Sequence, residues 1–178
     1  MKILKTQTDG IPVIRMLADV AFRHTYRDIL SPKQIEYMMD WMYSEESLLR
    51  QIVQDGHQFF IASIDDKPVG YVSVSCDEPA DGLDVFHLQK LYVLPAYQGQ
   101  GIGGRLFHTV LDYLNEIHPQ PCRLVLNVNR NNKAFGFYKK MGMSILRQGD
   151  FPIGNDYYMN DYILYLDRIP LHRCPSSA

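Results

Sequence analysis

The sequence predicts an α/β domain, in the α+β sense of a mixed β-sheet flanked by helices. Three observations predict it. Helical spacing dominates the first third, β-branched and aromatic runs follow, and the two patterns alternate toward the end. The resulting order is strand, two or three helices, three strands, helix, strand, helix, two strands, which suits a sheet with helices on its faces. The 178 residues are 46% hydrophobic and 21% charged, the profile of one globular domain able to close a core.

A short opening strand precedes the first helix. There Ile11, Ile14, Leu17, Ala18, Ala21 and Phe22 recur at helical spacing behind Asp9, the capping candidate. Ser31-Pro32-Lys33-Gln34 combines an N-cap serine, proline at the first helical position and glutamine three residues after the cap, so a second helix starts there. Ser44-Glu45-Glu46 marks a third start, its acids favoured by the helix dipole. Gln58 to Ile64 and Pro68 to Ser75 are strands, joined by Asp65-Asp66-Lys67 as a hairpin turn. Val85 to Leu94 is a third strand. A helix from about Gly101 to Ile117 carries Ile102, Leu106, Val110 and Leu114 on its apolar face, with Phe107 and Leu111 alongside. Arg123 to Val128 is a strand and Asn132 to Met141 a helix. Met143 to Gln148 and Tyr158 to Leu166 close the chain as a strand pair. Residues 1–169 are expected to form a single domain. Two prolines and two serines predict a frayed, disordered tail over 170–178.

Composition excludes several classes. A formal net charge of −2 argues against a nucleic-acid binder, which usually carries a basic patch. No apolar run approaches the roughly 20 residues that span a bilayer, so no membrane partner is expected. Met1 to Thr6 turns polar too soon for a signal peptide, which makes the cytoplasm the expected location. Cys76, Cys122 and Cys174 are scattered without metal-ligand spacing. They are expected as free thiols in a reducing compartment, at least two of them packed in the core. No ligand cluster is evident, and no metal is expected.

The most informative local feature is Gln98-Gly99-Gln100-Gly101-Ile102-Gly103-Gly104, between a strand stopped by Pro95 and an amphipathic helix. Glycines let a backbone approach a ligand closely. The first N–H groups of a helix point outward unpaired, and together with the positive end of the dipole they bind phosphate. Gly99, Gly101 and Gly104 also satisfy GxGxxG, the dinucleotide fingerprint. That motif sits directly at a strand end, whereas Pro95, Ala96, Tyr97 and Gln98 intervene here. Its ribose-binding acid is also missing, since the next strand ends in Asn127-Val128-Asn129. A P-loop would need Gly-Lys-Ser/Thr, and Arg105 follows Gly104.

Strand, Pro-Ala-Tyr, Gln-x-x-Gly-x-Gly on Gln98, Gly101 and Gly103, then an amphipathic helix resembles the acetyl-CoA motif of the GNAT superfamily of N-acetyltransferases. A second segment is similar to that superfamily's other signature: Asn131, Ala134, Phe137, Tyr138 and Gly142 fall in place, with Met143 where phenylalanine is usual. The resemblance covers nearly the whole chain. It implies a GNAT-like acyl-CoA N-acyltransferase fold with a central mixed sheet, and acetyl-CoA as co-substrate. It implies a pyrophosphate cradle of backbone amides over Gln98, Gly99, Gln100, Gly101, Ile102, Gly103 and Gly104. It also implies a strand, Leu91-Tyr92-Val93, that pairs with the pantetheine arm, and Asn131 as a hydrogen-bond partner of that arm. A plain N-cap role for Asn131 is the alternative, and the adjacent Asn132 could take either job.

The chemistry needs a neutral amine, a base or water chain for its proton, and a donor for the departing thiolate. Tyr138 is the candidate donor, because a phenol with a pKa near 10 keeps its proton at neutral pH. By register with the usual Glu-Leu-x-x-Leu-Tyr-Val, His87 takes the place of the family's glutamate base. Packing within the sheet, or a water relay without a dedicated base, are the alternatives. The acidic run Asp77, Glu78, Asp81 and Asp84 lies near the expected acceptor mouth. It could attract a cationic amine or be a solvated loop. His24, Tyr26, Tyr37 and Trp41 come from helices that often wall the acceptor pocket in this family, though ordinary packing or surface exposure is favoured for them. The implied activity is acetyl transfer from acetyl-CoA to a primary amine of a small molecule, polyamine-like or otherwise, or of a peptide. The alternative is a non-catalytic acyl-CoA-binding or sensor module. The acceptor, the acyl chain and the oligomeric state, homodimer included, are left open by the sequence.

Overall fold

The computed structural model describes residues 1–168; the tail expected over 170–178, and with it Cys174, lies outside them. Strand β1 (Lys2–Thr6) leads through a 3-10 turn into helices α1 (Ile11–Tyr26), α2 (Pro32–Tyr43) and α3 (Glu45–Val53). Strands β2 (Gln58–Ile64), β3 (Lys67–Ala80) and β4 (Leu83–Val93) follow, then helix α4 (Ile102–Ile117), strand β5 (Cys122–Asn129) and helix α5 (Ala134–Lys140). Strands β6 (Ser144–Gly154) and β7 (Tyr157–Arg168) end the described chain.

Local chemistry explains the boundaries. Ser31 Oγ accepts from Gln34 N at 3.2 Å and Ser44 Oγ from Ser47 N at 3.3 Å, the two expected caps. Gln34 does not complete a capping box; its Nε2 donates to Tyr158 O at 3.0 Å and ties α2 to β7. Asp9 does not cap α1. It sits inside the 3-10 turn, where its Oδ1 accepts from Gln7 N, and Gly10 occupies the cap position instead. Asp65 and Asp66, with φ of 48° and 58°, form the two-residue left-handed turn that matches strand twist between β2 and β3. Asn155 and Asp156 repeat it between β6 and β7, with φ of 50° and 58°.

The seven strands lie in the order β1-β2-β3-β4-β5-β7-β6. Only β4 and β5 run parallel; the other neighbours are antiparallel. One face is covered by α4 and α5, packing Ile102, Leu106, Phe107, Val110, Leu114 and Tyr138 against Val72, Val74, Leu124 and Leu126. The other is covered by α1, α2 and α3 through Ile14, Leu17, Phe22, Met38 and Leu48 against Phe59 and Tyr71. Cys122 is buried in the first core. Cys76 is exposed, because β3 runs past the core before it turns.

Candidate active site

A cleft of about 750 Å³ opens where β4 and β5 part. The two strands pair only from Asp84↔Cys122 to His87↔Val125. The extra residue of a bulge, Gln89, comes just beyond, since Leu88 pairs with Val74 and Lys90 with Ser73. A bulge bends its strand and raises the local twist. From Leu88 to Val93 the edge of β4 toward β5 therefore lines the cleft, and Asn127 and Val128 line it from the other side. Leu91, Tyr92 and Val93 keep their strand partners on β3 alone, so the edge toward β5 has no strand partner there; of its groups Val93 O is taken by Gln98 Nε2.

The glycine turn closes one end. Gln98 Nε2 donates to Val93 O at 3.0 Å, which fastens the turn to its strand. Gly101 is the N-cap of α4 in the left-handed conformation, φ 78°, with no side chain capping the helix. No backbone acceptor satisfies the N–H groups of Gly101, Ile102, Gly103 and Gly104. Four amides at the positive end of a 16-residue helix thus face one side of the cleft. That donor set suits a pyrophosphate. A Cβ on Gly99, Gly101 or Gly104 would meet open space, so the constraint at Gly99 and Gly101 is their positive φ.

The segment before α5 settles the roles of its asparagines. Asn132 Oδ1 accepts from Ala134 N at 2.9 Å, and Asn129 Oδ1 accepts from Asn131 N at 3.0 Å. Neither Asn131 nor Asn132 is the N-cap, a position that Lys133 holds without a side-chain bond; Asn132 braces the turn just before it, α5 begins later than expected, and the exposed Asn131 lines the cleft. Tyr138, 6% exposed, lines it too. Burial first, then the neighbouring Tyr26, pushes its phenol well up, so it carries its proton throughout the ordinary pH range.

The wall toward α1 is aromatic. Tyr26 is buried beside Tyr92 and Asn132, and both Tyr26 and His24 line the cleft. Tyr92 stacks on Tyr71 with ring centroids 5.6 Å apart. Lys90, 6% exposed, donates to Gln51 Oε1 at 2.7 Å and lies over the Tyr43 and Phe59 rings. Its burial lowers the ammonium to about 7.

The remaining candidates stand elsewhere. His87 is absent from the lining of the cleft. The pleat of β4 puts it on the face opposite Leu88, where its Nδ1 lies 3.3 Å from Asp77 Oδ2, and burial lowers its pKa. Tyr138 and His87 are therefore not brought together in the cleft. Asp77, Glu78, Asp81 and Asp84 do not line it either. Asp81 pairs with Arg123 at 2.7 Å and Asp84 with His118 at 3.4 Å, at the far end of β3 and β4. Tyr37 hydrogen-bonds Ile153 O at 2.7 Å and stacks on Trp41, outside the cleft. Sequence reasoning missed Lys90 and Asn127, which line the cleft, and the buried Asp161 that accepts from Asn127 Nδ2. Each is a polar residue inside a strand, and that is the only signal that could have found them.

The family profile of the acetyltransferase (GNAT) domain matches residues 26–146, which hold the glycine turn, Asn131 and Tyr138. An uncharacterized N-acetyltransferase of Methanocaldococcus jannaschii is 29% identical over 91 residues, 50% of this chain and 40% of that one. The spermidine N(1)-acetyltransferase of Thermoplasma acidophilum is 25% identical over 149 residues, 82% of this chain and 89% of that protein. The solved PaiA N-acetyltransferase of Thermoplasma acidophilum, in complex with coenzyme A, has a TM-score of 0.73 at 24% identity, covering 94% of this chain and 100% of that one, which shows the shared fold. No helix among the described residues is long and apolar enough to cross a membrane. With the profile match lying over the splayed strands, the uncapped helix and the buried phenol, the chain belongs to the GNAT family of acetyl-CoA-dependent N-acetyltransferases.

Proposed function

We propose that this protein transfers an acetyl group to the primary amine of a small molecule, of polyamine type, or of a peptide. The observation that carries the reading is one cleft that joins unsatisfied amides at Gly101 to Gly104 with the proton-bearing phenol of Tyr138. Acetyl-CoA supplies the activated thioester. The amide cradle and its glycines fit a pyrophosphate, and the free edge of Leu91, Tyr92 and Val93, with Asn131 opposite, fits an extended arm carrying amides. The amine nitrogen bonds to the acetyl carbon, the carbon–sulfur bond breaks, the amine loses a proton and the sulfur gains a hydrogen-bond donor. Tyr138 is that donor. The relative named for spermidine supports a polyamine as the small-molecule class.

The proton leaves the amine through water in this reading, because His87 stands outside the cleft. His87→Gln is expected to keep turnover within about threefold, whereas a dedicated base contributes roughly 10²–10⁴-fold. The test of the whole reading is thiol release from acetyl-CoA across a panel of spermidine, putrescine, lysine peptides and aromatic amines. Acetyl-CoA should also raise the melting temperature. Stabilisation without thiol release would leave a binding module, and no stabilisation by acetyl-CoA or CoA would overturn the reading.

A further inference from the structure

Asp161 takes no part in the chemistry above, yet it is a carboxylate held deep in the fold. It lies on β7 opposite Asn129 and is 4% exposed. Its Oδ2 accepts from Asn127 Nδ2 at 3.4 Å, while its Oδ1 is enclosed with no partner among the described residues. Few charged or titratable groups face it. Arg130, from the loop after β5, favours its anion, and Tyr26 on α1 feels that charge in turn. Arg130 is shared, since its guanidinium also donates to Asp150 on β6. Burial outweighs these influences and raises the carboxyl to about 6, so at neutral pH Asp161 is still an anion.

Asn127 carries that buried charge to the cleft. It is exposed and lines the cleft with Tyr26 and Tyr92. A carboxamide has one donor end and one acceptor end. One Nδ2 hydrogen goes to a carboxylate that only accepts, which fixes the flip of the amide and leaves Oδ1 as its acceptor for a ligand. An acceptor oxygen backed by an anion, in a cleft that Tyr26 and Tyr92 also line, favours an alkylammonium over a neutral amine.

We propose that Asp161 is a positioning residue for the acceptor: it holds Asn127 with its carbonyl oxygen toward the cleft and makes that end negative, so that the preferred substrate is a cationic aliphatic amine. The inference rests on the acetyl-transfer reading and names its substrate class. The effect is on capture and belongs in KM for the amine.

Asp161→Asn keeps an acceptor for Asn127 Nδ2 and removes only the charge. KM for spermidine should rise about tenfold, the effect of one screened charge at short range. Turnover and KM for acetyl-CoA should stay within about threefold, and the preference for spermidine over aniline should shrink with the KM. In the presence of saturating CoA, spermidine should raise the melting temperature of the wild type and fail to raise that of Asp161→Asn. Arg130→Gln is the second variant and carries the opposite sign, because it removes the cation beside Asp161 and should lower KM for spermidine. Unchanged KM in Asp161→Asn, an equal spermidine shift in both proteins, or a raised KM in Arg130→Gln would each overturn the proposal. A wild type that releases no thiol with any amine counts against acetyl transfer alone, and the spermidine shift then still decides the role of Asp161.

Discussion

Tyr138 and Lys90 show how burial sets the chemistry of single side chains. Among the described residues no hydrogen bond holds the Tyr138 phenol, and burial keeps it protonated. Tyr138→Phe is therefore expected to leave stability and acetyl-CoA binding nearly unchanged while cutting kcat about 100-fold, a split read from steady-state kinetics beside a thermal melt. Lys90 makes a stability prediction with a defined sign. Its folded pKa of about 7 lies below the unfolded value, so folding penalises the ammonium. The penalty is full below pH 7 and is relieved as pH rises toward about 10.4, where the unfolded chain also loses its proton. Stability should climb across that window by an amount on the order of a few kcal/mol, and Lys90→Met should flatten the climb in urea denaturation between pH 6 and 10. A variant that keeps the wild-type slope would show that Lys90 is not its source.

At the scale of elements, the cleft depends on two local irregularities. One is the bulge at Gln89, which ends the β4–β5 pairing and frees the strand edge. The other is the start of α4, where a left-handed glycine replaces the usual capping side chain. Gly101→Ala should cost ~1–2 kcal/mol, the strain of a Cβ in that conformation, and should raise KM for acetyl-CoA. The contrast is Ser31→Ala at the start of α2, which loses a cap worth about 1 kcal/mol and should leave KM unchanged. If both variants merely lower the melting point equally, the α4 start has no binding role. Gly154 marks a different need, close approach. A Cβ there would lie 2.4 Å from the Tyr37 hydroxyl and would displace it, and the φ of 96° adds strain for any other residue.

At the scale of the whole molecule, the cleft joins β4, α4, β5 and the start of α5, elements that come together only around the splayed strands. A ligand bridging them should add stability by mass action, about 2.7 kcal/mol at one hundred times its Kd. Amide hydrogen exchange should locate that gain. Slowing is expected at Gly101 to Gly104 and along Leu91 to Val93, and unchanged exchange there in the presence of CoA would place the cofactor elsewhere. Much of this scale was legible beforehand. Every strand and helix was anticipated, because apolar periodicity reflects which face meets a core. The hairpin at Asp65-Asp66 was legible because a left-handed pair needs residues that tolerate it. The Asp9 cap was misassigned, since local side-chain chemistry fits both a helix cap and a 3-10 turn. His87 was placed by register alone, and register along a strand does not say where two strands part.

The sequence by itself determined the order of elements, the glycine turn and the two family motifs, and it named Tyr138, which lines the cleft, as the candidate proton donor. All of these depend on residues close together in the chain. Only the tertiary structure decided that Asn131 lines the cleft, that Asp81 and Asp84 are paired away from it, and that His87 stands outside it. It alone brought Asn127 and Asp161, 34 positions apart, within 3.4 Å. The physical reason is that strand pairing and the bulge set which side chains share a cleft. Burial then sets their charge, and neither can be read from neighbours in the chain.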